Sequence, residues 1–200
     1  MKIHKLFIVV GLVVFAGFLI GWVAYRESCH AVSQNPQTMA FDTRIAALRK
    51  YVLQVGAKGD WPFPEQPCLL AVSTEGEVLR LPEDFQTLVR RERISISSPE
   101  AALELATSYV GVSSPFKVLV ISNPGMIPGT DRNPVPSNIA ALISAPVLSR
   151  SANGFVIQLF TWKQLGGRLE KWTITILDNG TVKPQAEELR SWVGAAVGFG

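Results

Sequence analysis

The least polar stretch of the chain lies at its N-terminus. Residues 6–25, LFIVVGLVVFAGFLIGWVAY, contain no charged residue and no proline. A helix of this length, rising about 1.5 Å per residue, spans the ~30 Å hydrocarbon layer of a membrane. Lys2 and Lys5 precede the stretch, whereas Arg26 is followed at once by Glu27, so the basic excess predicts a cytoplasmic N-terminus. The pattern predicts a single-pass protein of the cell membrane with a cytoplasmic flank, a transmembrane helix, a linker and an extracytoplasmic domain, at residues 1–5, 6–25, 26–37 and 38–200.

A cleaved signal peptide is the alternative interpretation of the same stretch. The apolar segment of a signal peptide usually has only about 7 to 15 residues and ends in small residues at the cleavage site. Trp22 and Ala24 occupy one such pair of positions and fit poorly, whereas Cys29 and Ala31 form a better pair. The length of the apolar stretch favours the retained anchor, which makes the lipid bilayer the partner of residues 6–25.

The pattern changes after the linker to segments of helical and strand spacing. Apolar residues recur at helical spacing from residue 41 to residue 55, and Gly56 follows them, which predicts an amphipathic helix. The residues are Phe41, Ile45, Leu48, Val52 and Val55. Residues 68–74 and 77–81, separated by the turn Glu75-Gly76, predict a β-hairpin, and a short charged helix follows Pro82.

A second helix is predicted from residue 98 by its start signals. Ser98 can accept a hydrogen bond from a free backbone N–H, Pro99 suits the first turn, and Glu100 favours the positive end of the helix. Small and apolar residues then follow on one face up to Gly111. A strand at residues 116–122 and a short helix from residue 137 come next.

The last part of the domain alternates as strands do. Four segments are separated by turns rich in Gly and Asn, whose residues tolerate positive φ, which predicts an antiparallel meander. The segments are PVLSR, GFVIQLFTWK, RLEKWTITIL and TVK. Trp172, Ile174 and Ile176 share one face, so we expect one buried and one solvated side. The chain is therefore predicted to be an α+β protein, in which helices pack on an antiparallel meander sheet.

The alanine-rich helix SPEAALELATSYVG, the strand after it and a meander that closes on Asp178-x-Gly180-x-Val182 resemble PepSY domains and, more broadly, the cystatin-like arrangement of one helix cupped by an antiparallel sheet. The resemblance covers at most residues 98–183 and carries over no specific functional residue. It implies a non-catalytic module that regulates, inhibits or senses something outside the membrane.

The formal charge of +3 would be compatible with a protein that binds nucleic acid. The position of the excess positive charge in the chain excludes that interpretation. Lys2, Lys5 and Arg26 account for three of the nineteen basic residues, and the other sixteen match sixteen acidic residues, all from Glu27 onward. The predicted extracytoplasmic part is therefore neutral. The excess charge indicates membrane orientation and no surface for binding nucleic acid.

The residues needed for several common catalytic sites are missing from the domain. The chain has two histidines, His4 and His30, and neither lies in residues 38–200. Serine or cysteine nucleophiles that use a histidine base, and the commonest zinc sites, are thereby disfavoured. Glu100 and Glu104 would share a helix face as an acid and base pair, although a solvated helix surface is the simpler interpretation. We predict no enzyme, no cofactor, no metal and no small-molecule site.

The chain has two cysteines, Cys29 and Cys68, both on the predicted extracytoplasmic side, where disulfides persist. One intramolecular bridge would join the segment after the anchor to the first strand of the hairpin. Two free thiols, or a bridge between the Cys29 residues of two copies, are the alternatives.

Three features favour contact with a protein partner. Gly17 and Gly21 would let two membrane helices approach closely. The proline-rich loop 123–136 is long for a compact domain, and within it the candidate contacts are Met126, Ile127, Asp131 and Arg132. The apolar end, residues 192–200, either folds back onto the sheet or inserts into a partner.

The sequence thus predicts a membrane-anchored extracytoplasmic binding or scaffolding protein, such as an accessory subunit of an envelope complex. The alternative is a PepSY-like regulator or inhibitor of an extracytoplasmic protease or signalling protein.

Overall fold

The structure is a computed structural model that describes residues 29–31, 38–58 and 66–197. The predicted transmembrane helix, with Gly17 and Gly21, lies outside these residues, as do the flank 1–5 and most of the linker. Within the described residues, no helix combines the length and the hydrophobicity needed to cross a membrane. The described part of the chain forms an α+β domain with two antiparallel sheets and three helices.

The N-terminal sheet has five strands: β1 (Cys29–Ala31), β2 (Thr38–Ala40), β3 (Tyr51–Lys58), β4 (Gln66–Ser73) and β5 (Val78–Leu81). The strands β3, β4 and β5 follow one another in the sheet, and β1 and β2 share the other edge of β3. The predicted hairpin is thereby confirmed as β4 and β5.

The C-terminal sheet also has five strands: β6 (Val118–Ile121), β7 (Val147–Ser151), β8 (Gly154–Lys163), β9 (Arg168–Leu177) and β10 (Val182–Arg190). Its order is β10, β9, β8 and then β6, with β7 on the same edge of β8. The predicted meander is confirmed. The helices are α1 (Phe85–Arg91), α2 (Pro99–Gly111) and the short α3 (Ser137–Ala140).

The prediction of an amphipathic helix over residues 41–55 is wrong. Only a single 3₁₀ turn, Leu48–Lys50, forms there, and β3 begins at Tyr51. Tyr51 and Leu53 are buried while Val52 between them is exposed, which is the alternation of a strand. Leu48, Val52 and Val55 fit the helical period, whereas Tyr51, Leu53 and Val55 fit the strand period. Pairing of β3 with strands on both sides decides between the two. The domain therefore has two sheets where one was predicted.

Helix α2 begins as its sequence predicts. Ser98 has an extended backbone, and its Oγ accepts a hydrogen bond from Ala101 N at 3.2 Å. Pro99 occupies the first turn, where a missing N–H is harmless. Ala102, Leu105 and Ala106 on the inner face are fully buried, so the small side chains let the helix lie close to β8 and its neighbours.

The two sheets share one main core. Leu53 and Leu69 of the N-terminal sheet belong to the same buried cluster as Ile157 and Ile174 of the C-terminal sheet. Tyr109 of α2 makes edge-on ring contacts with Phe85 and Trp172, with ring centroids 5.3 and 6.2 Å apart. The three rings join helices α1 and α2 to the C-terminal sheet.

A long segment interrupts one edge of the C-terminal sheet. Ile121, at the end of β6, pairs with Phe160 of β8, and Val147, at the start of β7, pairs with Gln158. The two short strands thus lie in line along β8, and the chain leaves this edge and returns to it through residues 122–146. We call this segment the excursion.

The excursion covers a second, smaller core on the other face of the C-terminal sheet. Ile127 and Ile143 of the excursion pack there with Phe160, Trp162 and other residues. The complete buried set is Ile121, Ile127, Ile143, Phe160, Trp162, Leu169 and Val193. The face that the sequence predicts to be solvated is therefore covered at one end.

The C-terminal segment folds back onto the sheet, as one of the two predicted alternatives. Trp162 Nε1 donates to Val193 O over 2.8 Å, and Val193 N donates to Gly167 O over 3.0 Å. Ala195 N donates to Pro128 O of the excursion over 2.6 Å. The described end of the chain, residues 192–197, is therefore tied to both the sheet and the excursion.

Candidate functional site

A groove with a volume of about 860 Å³ lies between edges of the two sheets. One wall is formed by Met39, at the edge strand β2, and by the residues that follow it to Arg44. The other wall is formed by residues 114–120, which lead into and include most of the edge strand β6. Leu53 and Leu69 line it from the N-terminal sheet. The site thus depends on elements that are far apart in the sequence.

Helix α2 contributes a polar stripe to the groove. Glu104, Thr107, Ser108 and Gly111 all line it, and their spacing places them on one face of a helix. The opposite face carries the buried alanines and Leu105. The helix therefore contributes to the main core on one side and to the groove on the other.

Hydrogen bonds from Glu104 hold the β2 wall in place. Glu104 Oε1 accepts a hydrogen bond from Thr43 Oγ1 at 2.9 Å and another from Arg44 N at 2.5 Å. The Ser108 hydroxyl lies 3.0 Å from Thr43 Oγ1 and 2.8 Å from Glu104 O, and its single proton can serve either acceptor. The charged acceptor thereby fixes residues 43 and 44 against α2.

Arg49 fixes the same two residues from the other direction. Its Nε donates to Thr43 O over 2.8 Å, and its Nη2 lies 3.3 Å from Arg44 O. Thr43 Oγ1 also accepts from Ile45 N at 3.1 Å. Backbone and side-chain atoms of Thr43 are thus engaged together, so this wall is preorganised.

The opposite wall presents an open strand edge. Gln164 N donates to Lys117 O over 2.9 Å, so the peptide groups of Lys117 point toward β8. Peptide groups alternate in direction along a strand, so those of Val118 and Val120 point away from β8. Strand β6 is at the edge of its sheet, and no bond from another described residue reaches these outward groups. Two N–H donors and two carbonyl acceptors of β6 therefore have no hydrogen-bond partner among the described residues.

The residues predicted for partner binding are separated by the fold. Met126 is exposed, and its Sδ accepts a hydrogen bond from Ser122 N at 3.2 Å. Asp131 and Arg132 are exposed as well. Ile127, by contrast, is only 2% exposed in the second core, so it holds the excursion in place. Partner binding by this segment stays a prediction, now concentrated on the three exposed side chains.

Cys68 in β4 takes part in a disulfide bond, and no described cysteine is a free thiol. In the backbone, Cys29 of β1 lies opposite Lys58 of β3, and Cys68 lies opposite Gly56 of the same strand. The side chain of Cys29 falls outside what the structure describes. The pairing of Cys29 with Cys68 therefore remains a prediction.

The two helix carboxylates have different surroundings. Glu104 lines the groove and is engaged by Thr43 and Arg44, whereas Glu100 lies exposed in the first turn of α2 and does not line it. Glu104 thus holds the groove wall. Residues 29–31, 38–58 and 66–197 contain no group of three or more potential metal ligands.

The sequence gives no signal for a buried ion pair on β8 and β9. Lys163 Nζ lies 3.0 Å from Glu170 Oε2, and the two side chains are 13% and 7% exposed. The angle leaves Oε2 without a hydrogen bond, so the contact is one of charge attraction, which does not require a linear geometry. Lys163 also lies over the ring of Trp172, whose Nε1 donates to Thr161 Oγ1 at 2.9 Å. This cluster is the polar end of the main core.

The carboxylate of Glu92 has its pKa shifted by its neighbours. Lys50 Nζ donates to Glu92 Oε2 at 3.0 Å and Tyr51 Oη donates to Glu92 Oε1 at 2.9 Å. Burial acts to raise the pKa of Glu92, but the hydrogen bonds from Lys50 and Tyr51, together with the positive charges of Lys50 and Arg91, outweigh it and hold the pKa below its usual value. Burial and then the bond to Glu92 raise the pKa of Tyr51. The triad joins the start of β3 to the end of α1.

In comparisons with known proteins, no family model, no curated protein and no solved structure matches this chain.

Proposed function

We propose that this chain is a membrane-anchored extracytoplasmic binding or scaffolding protein, an accessory subunit of an envelope complex. Residues 6–25 hold it in the bilayer with the N-terminus in the cytoplasm. The apolar length of this segment and the basic residues before it support the anchor.

The observation that carries the binding role is the construction of the excursion. Ile127 and Ile143 are buried in the second core, and Pro128 O accepts a hydrogen bond from the C-terminal segment. Between these fixed points the exposed Asp131 and Arg132 face solvent. A loop that is already ordered loses little conformational entropy when a partner binds. The excursion, fixed by its buried isoleucines and this hydrogen bond, is therefore suited to binding a protein partner.

The test is site-specific cross-linking of the full-length protein in intact membranes. A photoreactive residue at position 130 is expected to capture one protein partner. Combining Met126→Ser, Asp131→Ala and Arg132→Ala should reduce that adduct by about tenfold or more, because the contacts are removed while Ile127 stays in the core. The matched control is Lys183→Ala with Glu187→Ala on the exposed strand β10, which should leave the adduct unchanged. Equal yields from both variants would contradict the proposal.

The regulator is the second proposal, and one observation favours it. Strands β6 and β7 lie in line on β8, so the half of the domain from α2 onward reads as one helix followed by four antiparallel strand positions. The excursion accounts for the additional residues between Gly111 and Pro146. This order is the one that the PepSY-like resemblance implies.

Separation from the membrane distinguishes the two proposals. A protease site placed within residues 32–37 of the full-length protein allows the domain to be released after assembly. A scaffolding subunit is expected to lose its effect on the complex when it is released. A regulator or inhibitor is expected to keep its effect on the target in solution.

A further inference from the structure

We propose that the groove between β2 and β6 binds an extended, uncharged peptide segment of a partner protein, which adds a strand to β6. This inference rests on the proposed binding function but uses a surface separate from the excursion.

The first argument comes from the open backbone of β6. Val118 and Val120 point their N–H and C=O groups into the groove side of the strand, where no described residue bonds to them. Main-chain hydrogen bonds to such an edge supply affinity in strand addition, and side-chain pockets supply specificity. The four residues of β6 extend for about 13 Å, enough to pair with a segment of four to five residues.

The second argument compares the two edges of the C-terminal sheet. The β10 edge carries Lys183, Pro184, Glu187 and Glu188, and charges and proline of this kind discourage the addition of further strands. The β6 edge, Val118–Ile121, carries neither a charge nor a proline. One edge is therefore protected against pairing and the other is left available at the side of a groove.

The third argument concerns the walls that a bound segment would meet. Met39 of β2 lies opposite Leu53 in the register and is 45% exposed in the groove. Leu53, Leu69 and Val112 give the groove an apolar part. The volume of about 860 Å³ lies within the range of ligand sites in proteins. Alternate apolar side chains of an extended segment can therefore be buried here.

The charges of the groove select the occupant. Asp42 and Glu104 carry two negative charges, and Arg44 and Lys117 carry two positive charges, so the lining is neutral. Glu104 is already engaged by Thr43 and Arg44. A charged side chain entering the groove would lose hydration without gaining a net opposite field. The segment bound is accordingly uncharged at its centre.

The test measures peptide binding to the full-length protein in nanodiscs by fluorescence anisotropy. The probes are three labelled, acetylated and amidated peptides, Thr-Val-Thr-Val-Thr, Thr-Leu-Thr-Leu-Thr and Thr-Phe-Thr-Phe-Thr. At least one should bind saturably. Methylation of alternate backbone amides of that peptide, or replacement of its threonines by lysine or glutamate, should weaken binding by about tenfold or more.

Variants at one position separate backbone from side-chain contributions. Val120→Pro removes the outward N–H, and a strand edge tolerates proline at such a position. The substitution should weaken peptide binding by about tenfold. Val120→Ala, the matched control, keeps the N–H and should change binding by less than about threefold. If the proline variant fails to fold, hydrogen exchange of the wild-type protein decides, because the bound peptide should slow exchange at Val118 and Val120.

Three results with the peptides would overturn the inference: no binding of any of the three peptides, equal binding of the methylated peptide, or unchanged exchange at β6. A wild-type dimer that becomes monomeric in Val120→Pro would show that a second copy occupies the edge instead. If the peptide experiment fails, the proposal that the excursion binds a partner still stands, because the two surfaces are separate. The variants at Met126, Asp131 and Arg132 are accordingly expected to bind the peptides normally. Failure of the excursion test likewise leaves this one in place.

Discussion

Trp162 donates its indole N–H to the carbonyl oxygen of Val193 over 2.8 Å, and this bond joins the C-terminal segment to strand β8. Trp162 is 1% exposed and sits in the second core. The bond closes a small unit in which the sheet, the excursion and the end of the chain support one another. The excursion, which carries Asp131, is therefore supported in part by Trp162, a residue remote from it in the sequence.

Trp162→Phe should lower the free energy of unfolding by about 1 to 3 kcal/mol, because Val193 O would remain buried without its donor. Urea denaturation measures this change. Trp192→Phe is the matched control, since the Trp192 side chain is largely exposed, and it should change stability by less than about 0.5 kcal/mol. Equal effects from the two substitutions would show that the bond contributes nothing.

Gly180→Ala should destabilise the domain by about 2 kcal/mol or more, whereas Gly76→Ala should cost about 1 kcal/mol. Both glycines have positive φ, 80° and 83°. A Cβ at Gly180 would lie 2.3 Å from Ile94 O, whereas one at Gly76 would meet no atom within 4 Å. The difference in thermal unfolding midpoint between the variants isolates the crowding. It would vanish if the turn at Asp178-Asn179-Gly180 were not packed against the α1–α2 connection.

Glu104→Ala should lower the free energy of unfolding by about 1 to 3 kcal/mol, because Thr43 Oγ1 and Arg44 N lose a charged acceptor. Glu104→Gln, which keeps an acceptor oxygen, should recover part of the loss. Glu100→Ala on the exposed first turn serves as the control and should stay within about 0.5 kcal/mol. Chemical denaturation at neutral pH distinguishes these values. If Glu100→Ala costs as much as Glu104→Ala, the groove wall is not held as described.

Stability should fall on acidification in part through Glu92. Its pKa in the folded protein is lower than usual, so its contribution is present above the unfolded pKa and is lost as the pH falls through the folded pKa. Glu92→Gln should therefore be less stable than the wild type at pH 7, and the gap should close below pH ~4. Denaturation curves between pH 7 and 3 check this. A gap that stays constant across that range would rule out the charge of Glu92 as its origin.

Local signals predicted those elements that depend on local chemistry. Ser98 and Pro99 define the start of α2, and the turn at Gly180 separates β9 from β10. The strand β3 was missed because Val52 and Val55 continue a helical period while Tyr51, Leu53 and Val55 alternate as in a strand, and only pairing with β2 and β4 resolves the ambiguity. Local propensity was overruled there by tertiary contacts.

The groove could not have been found from the sequence. Thr43 and Glu104 are 61 residues apart, and the open edge of β6 exists only because β8 pairs with its other side. One trace was visible beforehand, the polar stripe of Glu104, Thr107 and Ser108 on a helix whose other face is apolar. The long proline-rich loop was noticed for its composition, but the burial of Ile127 beneath it depends on the far face of the sheet.

The central claim, an anchored domain on the outer side of the membrane, is tested most directly by protease protection of the full-length protein in sealed inside-out vesicles. Protease added to the cytoplasmic face should leave a protected fragment containing residues 38–197 until detergent opens the vesicles. Complete digestion of that fragment in sealed vesicles, or a mature chain that begins beyond Ala31, would contradict the account.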